Sequence, residues 1–334
     1  MKMIQEIRKT NTMQHVLQQR EDIRDFLLSH QKLNLIFDLI DSDIDCFRID
    51  QYKKIYDGIG NTGYYHVKLP NDNTLHIKLE YLNPMGNSHY SRFWIIYLFL
   101  CEVLGLINPI ESEIIEVSSG SSGIALALAC EALGYKATIL VPQILPESRV
   151  KPMERSGITI VKVNGYINEC VNLLRKKLIS GHYFATNHSE EKADVIVNVF
   201  SRIAEEITCD LNSHIDHVFL AMGNGTSTLA LTKRIKELNR DAIVSAYHPD
   251  FDHNPNEIVF GLITSNIDCR HVLISKNFVD EICFTSGVNL SLLRDYYSYD
   301  SEILTMGPSS LYGLYFAHRH SLNVEGQNFV SIGY

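Results

Sequence analysis

No run of about 18 apolar residues occurs in the 334-residue chain, so the sequence predicts no membrane-spanning helix. The longest apolar stretch, Phe93 to Val103, is interrupted by Tyr97 and Glu102 and is too short to cross a bilayer. No secretory leader is visible either: Lys2, Glu6, Arg8 and Lys9 stand near the start with no apolar core behind them. C-x-x-C pairs are missing. The seven cysteines (Cys46, Cys101, Cys130, Cys170, Cys209, Cys269, Cys283) are scattered, mostly among apolar neighbours. That pattern predicts buried free thiols in a reducing compartment and a cytoplasmic protein. Positive charge is in short supply: 30 Lys and Arg stand against 39 Asp and Glu, a formal net charge of −9. The balance argues against a nucleic-acid or anionic-membrane surface. His248, Asp250, Asp252 and His253 lie close together but lack a recognised ligand spacing, so no metal is expected there. Low-complexity tracts, short-period repeats and long linkers are also lacking.

What remains is an ordinary globular composition, 45% hydrophobic and 21% charged. Up to about residue 45, Ile23, Phe26, Leu27, Leu33, Ile36, Phe37 and Ile40 recur at helical spacing. This segment predicts a helical extension for packing or oligomer contact. From Gly58 the pattern changes to a hairpin, with strands over Tyr64–Leu69 and Leu75–Glu80 about the turn Pro70-Asn71-Asp72-Asn73. Strands then alternate with helices. Strands are expected at Ile114–Val117, Ala137–Val141, Ile158–Val163, His217–Ala221, Ala242–Tyr247 and Phe329–Ile332. Helices are expected at Gly123–Leu133, Asn168–Ile179, Val195–Leu211, Thr228–Leu238 and Leu311–Arg319. Such alternation implies parallel strands with crossover helices.

Two strand–loop–helix junctions are rich in small residues. In the first, Ser118-Ser119-Gly120-Ser121-Ser122-Gly123 separates a buried strand from an alanine-rich helix. Backbone N–H groups at a helix start are unpaired and carry partial positive charge, so a carboxylate or phosphate is the natural guest. In the second, Gly223-Asn224-Gly225-Thr226-Ser227-Thr228 offers close backbone approach and hydroxyls to a phosphate. It lacks the third glycine of a dinucleotide fingerprint and the lysine of a P-loop. Each loop alone also fits a plain turn. A third cluster, Gly307-Pro308-Ser309-Ser310, precedes a helix and also reads as a simple serine cap.

Taken in order, "IGNTG" (59–63), "KLEYLNPMGNSHYSR" (78–92), "EVSSGSSGIALA" (116–127), "ILPESRVKPMERSGITIVKV" (144–163), "GNGTST" (223–228) and "GPSS" (307–310) resemble the markers of the cysteine synthase, cystathionine β-synthase and tryptophan synthase β group. That is the fold-type II branch of the pyridoxal-phosphate (PLP) enzymes. The resemblance covers roughly Gly58 to the C-terminus. It implies two intertwined, three-layer parallel-sheet α/β domains of the tryptophan synthase β-like fold. The expected boundaries are 51–82 plus 190–334 for a larger domain and 83–189 for a smaller one, after a helical extension over 1–50. It also implies a homodimer, PLP as cofactor and an amino-acid-like substrate.

The resemblance assigns the PLP phosphate to Gly223, Asn224, Gly225, Thr226 and Ser227, and a substrate carboxylate to Ser118, Ser119, Gly120 and Ser122. The pyridine nitrogen would fall to Ser309 or Ser310. Two departures stand out. The family's N-P-x-G-S-x-K-x-R loop reads Asn83-Pro84-Met85-Gly86-Asn87-Ser88-His89-Tyr90-Ser91-Arg92 with one extra residue, so Tyr90 stands where the imine-forming lysine belongs. A phenol supplies no primary amine. The asparagine that reaches the cofactor's 3′ oxygen is Ser121 here. Lys78, near in sequence, reads as a solvated or ion-paired strand residue. His89 beside Tyr90 is the nearest group that titrates near neutrality.

Three expectations stay open: β-replacement or β-elimination chemistry with an amine from elsewhere, a catalytically inactive ligand sensor or protein-binding partner, and imine-free chemistry by His89 and Tyr90.

Overall fold

The structure, a computed structural model, describes residues 46–103, 105–179, 183–185, 194–211, 214–249 and 277–334. The helical extension expected before residue 46, and His182, His188, Asp250, Asp252, His253 and Cys269, lie outside the described residues.

In chain order these residues form Cys46–Tyr56 (α1), Tyr64–Lys68 (β1), Thr74–Lys78 (β2), Tyr90–Val103 (α2), Glu113–Val117 (β3), Ser121–Leu133 (α3) and Lys136–Pro142 (β4). There follow Glu147–Val150 (α4), Ile158–Val163 (β5), Ile167–Ile179 (α5), Tyr183–Ala185 (β6), Asp194–Asp210 (α6), His217–Ala221 (β7) and Thr226–Leu238 (α7). The last described elements are Ile243–His248 (β8), Glu281–Phe284 (β9), Leu290–Tyr296 (α8), Ser301–Thr305 (α9), Pro308–Ser321 (α10) and Asn328–Ile332 (β10).

The described residues divide into two compact units. Those up to Ile59, from Pro84 to His188 and from Lys192 to Val199 form one; those from Gly60 to Asn83 and from Phe200 to Tyr334 form the other. Residues 51–59, expected with 60–82, here group with the first unit. The reason is a buried polar knot: Arg48 and Tyr52 of α1 bind the Glu102 carboxylate of α2 at 2.7–2.9 Å, and Tyr135 binds it at 2.6 Å. Burial alone would raise the Glu102 pKa, but hydrogen bonds from Arg48, Tyr135 and Tyr52 outweigh it and hold the group below its ordinary value. The glutamate that interrupts the apolar run is thus the anchor of α1.

The first unit carries a parallel four-stranded sheet of order β5-β4-β3-β6. The apolar run Phe93–Cys101 forms most of α2 and is buried all round, as expected of a core helix. Helix α2 packs on α3, whose end is fixed by Gly134 in the left-handed conformation with its N–H on the Cys130 carbonyl. The buried thiols of Cys101, Cys130 and Cys170 are free, and burial raises their pKa values.

The second unit holds a six-stranded sheet of order β1-β2-β10-β7-β8-β9. Only the β1–β2 hairpin is antiparallel; the other pairs are parallel. Helix α10 lies tightly on β7 and β10. Its Gly313 is obligatory, because a Cβ there would stand 2.1 Å from Ser331 Oγ and 3.0 Å from Tyr247 Oη. The α/β class with two mainly parallel sheets is as the sequence implied.

Candidate functional site

The site residues fall into two groups, one in each unit. In the first, the loop Pro84–His89 takes three successive positive φ values, 62° at Met85, 97° at Gly86 and 49° at Asn87. At Gly86 the backbone presses on the first turn of α3: a Cβ would lie 2.9 Å from the Ala125 nitrogen. Ser91 Oγ lies 2.6, 2.8 and 2.8 Å from the Pro84, Met85 and Ser88 carbonyls, which ties the loop to α2. Ser88 Oγ accepts the Tyr90 N–H at 3.2 Å, so Tyr90 is the first residue of the helix.

Tyr90 is partly buried. Burial raises its pKa well above the ordinary phenol range, and the charge of Glu116 adds to the effect. His89 is buried, and its ring meets that of Tyr90 at a centroid distance of 4.4 Å and a 37° tilt. Glu116, buried on β3 with Oε1 accepting the Val117 N–H at 2.8 Å, was not singled out from the sequence. Its place two residues before the serine loop was the available signal.

The serine loop lies against this segment, since Trp94 Nε1–H donates to the Ser122 carbonyl at 2.9 Å. Its hydroxyls divide into two kinds. Ser118 Oγ accepts the Gly120 and Gly123 N–H groups at 3.0 and 2.8 Å and so staples the loop to α3. Ser122 Oγ lies 3.3 Å from the Trp94 indole nitrogen. The hydroxyls of Ser119 and Ser121, by contrast, form no hydrogen bond among the described residues, and Ser121 is exposed. A further cation joins them: Arg149 Nη1–H approaches the Ser119 carbonyl at 3.4 Å, and burial lowers the Arg149 pKa. The loop offers α3 N-terminal donors, two open hydroxyls and a guanidinium, a set suited to a carboxylate.

In the second unit, the loop after β7 turns through Gly225 in the left-handed conformation (φ 88°) into α7. Asn224 Oδ1 accepts the Thr226 N–H at 3.0 Å and shapes the turn. Thr228 Oγ1 donates to the Ala221 carbonyl at 3.1 Å, which corrects its assignment as a phosphate donor: it is committed to the strand. The Ser227 hydroxyl makes no bond among the described residues. Tyr247, also missed in the sequence, links this loop to the 307–310 turn. Its carbonyl accepts the Met222 N–H at 2.8 Å and its hydroxyl donates to the Ser309 carbonyl at 2.7 Å.

The α10 N-cap is Gly307 with Pro308 in the first turn and no side-chain cap bond, so the serine-cap reading is corrected. Ser310 Oγ accepts the Tyr334 N–H at 3.0 Å, and the Ser309 hydroxyl makes no bond among the described residues. Lys78 is fully buried. Its ammonium donates to the Thr62 carbonyl and pairs with Glu206 at 2.9 Å and Asp210 at 3.6 Å, over the Tyr64 ring. It is a fold residue.

Each unit is tested by itself for the part of a pyridoxal phosphate that its residues suit. The Gly223–Ser227 turn provides a phosphate cradle of backbone donors and an open hydroxyl. The Tyr90 position provides no amine.

Comparison with known proteins identifies the family. The family model described as pyridoxal-phosphate dependent enzyme matches residues 55–256. A cysteine synthase from a Flavobacterium species is 30% identical over 210 residues, 60% of this chain and 66% of that protein. One from Buchnera aphidicola is 28% identical over 211 residues, 59% and 63%. The matched stretches thus span a little under two thirds of these relatives' own length. Among solved structures, a ligand-bound mutant of O-ureido-L-serine synthase superposes with a TM-score of 0.73 at 20% identity, covering 88% of this chain and 89% of that one. The Entamoeba histolytica cysteine synthase does so with 0.69 at 23%, covering 84% and 86%. These structural likenesses show the fold.

Proposed function

Because this chain belongs to the pyridoxal-phosphate dependent enzyme family, we propose that it binds pyridoxal phosphate, or a ligand bearing the same phosphate, without a covalent link, and separately holds an amino-acid-like carboxylate. The phosphate goes to the turn Gly223 to Ser227, with the Ser227 hydroxyl as side-chain donor and the α7 N-terminus behind it. Ser309 supplies a hydroxyl for the ring nitrogen. The carboxylate goes to the α3 N-terminus, with Ser119, Ser121 and Arg149 around it. Bound there, the cofactor supplies an electron-withdrawing ring.

The observation that supports this reading is that Tyr90, which the family resemblance aligns with the imine-forming lysine, is a phenol whose pKa burial and then Glu116 raise. A protonated phenol neither captures an aldehyde nor takes a proton at neutral pH. The protein then works as a ligand sensor or binding partner, a cytoplasmic homodimer by family likeness.

A second reading is favoured by the cysteine synthase relatives. It is β-replacement or β-elimination on a serine- or cysteine-like substrate, with an amine from elsewhere in the chain. Borohydride separates the two. Protein mixed with pyridoxal phosphate, reduced and then denatured carries no cofactor on the first reading. Label that stays on the chain overturns it in favour of the second.

A further inference from the structure

On the six-stranded sheet a cleft of about 470 Å³ opens between the last turn of α10 and the face of β7 and β9. Its volume suits a small molecule. Phe219, Phe316 and Leu322 supply apolar surface, while Glu281, Arg319 and His320 supply charge and hydrogen bonds. The register explains the grouping: Phe219 pairs with Ser245, and Ser245 with Glu281, so these three side chains share one face across three strands. This lies at the N-terminal side of the strands. The Gly223–Ser227 turn leaves from the opposite end of β7.

Two features make the cleft more than a surface dent. Glu281 and Arg319 line it together yet form no ion pair with each other. Glu281 takes the Ser245 hydroxyl on Oε2 at 2.7 Å, with His217 Nε2 a further 3.9 Å contact, and Arg319 reaches the Tyr315 hydroxyl with Nη1 at 3.2 Å and lies over the Tyr315 ring; no other hydrogen bond is made by either among the described residues. Among the described residues most donors of the guanidinium and one carboxylate oxygen therefore have no protein partner, and both exposed side chains line the same cleft.

The support beneath is also ordered. Ser245 Oγ donates to Glu281, so it accepts from His217 Nε2–H at 2.6 Å, which fixes the histidine tautomer and leaves Nδ1 bare and buried. His217 in turn stacks on Phe219 and meets His320, with centroids 4.3 and 4.5 Å apart. The carboxylate is held in place from below.

We propose that this cleft is a second binding site, for a free α-amino acid with an apolar side chain, taken as its zwitterion. Arg319 receives the carboxylate, Glu281 the ammonium, and Phe219, Phe316 and Leu322 the side chain. A ligand with both charges completes the two half-used ions at once, which a carboxylate or an amine alone does not.

The test is calorimetric titration of the full chain with L-leucine, with pyridoxal phosphate titrated separately into the same preparations because free amines condense with its aldehyde. Leucine is expected to bind, and 4-methylpentanoate and isopentylamine, which lack the ammonium and the carboxylate respectively, to bind roughly tenfold more weakly or not at all. Arg319→Ala and Glu281→Gln are each expected to weaken leucine by roughly tenfold or more. Both should leave pyridoxal phosphate binding and the melting temperature unchanged. Absence of leucine binding at millimolar concentration, either half-molecule binding as well as leucine, or a loss in only one or neither variant overturns the site. Because pyridoxal phosphate is titrated separately into the same preparations, failure here is distinguished from failure of the cofactor reading.

Discussion

Tyr90, driven toward its protonated form by burial, also feels the negative charge of Glu116, buried at the end of β3, and the two causes act in the same direction. This pairing defines what the rebuilt end of the site does: it holds a neutral hydroxyl beside a carboxylate. Tyrosinate absorbance at 295 nm is expected to be the same in the parent protein and Tyr90→Phe up to about pH 11, because the missing phenol does not ionise in that range. A difference band below pH 10 would contradict the arrangement.

Tyr90→Lys puts an ammonium where the phenol stood, next to Glu116. The variant is expected to turn yellow with pyridoxal phosphate and to retain it after borohydride and denaturation. A colourless variant would count against the proposed cofactor site.

The Arg48–Glu102 knot gives a stability prediction with a defined pH sense. The folded-state pKa of Glu102 is depressed, so its contribution is present above the unfolded value and is lost as pH falls through the folded one. Glu102→Gln is expected to cost about 1–3 kcal/mol at pH 7 in urea unfolding, with the gap to the parent closing below about pH 4. A gap that stays constant down to pH 3 would refute the assignment.

His217 has the opposite chemistry. Burial, and then the neighbouring His320, lower its pKa to about 4. Between that value and 6.5 the unfolded chain binds a proton that the folded chain does not, so stability falls as pH falls through this window. The parent protein is expected to lose up to about 3 kcal/mol there, at about 1.36 kcal/mol per pKa unit. His217→Phe should remove that part of the slope, read from urea midpoints at pH 7 and pH 4.5.

Lys78 is fully buried while its partner Glu206 is 16% exposed. Lys78→Met leaves that carboxylate without its ammonium, and is expected to cost about 2–4 kcal/mol. Binding of pyridoxal phosphate by the folded variant should not change. Loss of binding without loss of stability would show that Lys78 serves ligand binding and not the fold.

Periodicity made most elements visible before any coordinates. The β3, β4, β5 and β7 strands fall within a residue of where the apolar runs end, and α3 stops at Gly134 as its C-cap implies. The serine and glycine loops stand at the strand–helix junctions expected of them. What the chain did not disclose is which polar atoms the fold itself consumes. Ser118 and Ser119 are neighbours of the same type, yet one hydroxyl staples a loop and the other is open, because only Ser118 reaches the Gly123 N–H across the turn. Thr228 and Ser227 divide in the same way through the Ala221 carbonyl. Glu102 looked like a blemish in an apolar run, since its partners Arg48, Tyr52 and Tyr135 are 54, 50 and 33 residues away. Such partnerships are set by packing, and no local pattern carries them.

The place of β10 bears on how the protein is made. It lies between β2 and β7, so the six-stranded sheet is divided into two open-edged halves until Asn328 to Ile332 have left the ribosome. The β3–β6 sheet, encoded by one continuous stretch, can assemble during translation. Nascent chains halted before residue 328 should accordingly expose two long unpaired borders and recruit chaperones, whereas the earlier sheet should already resist protease.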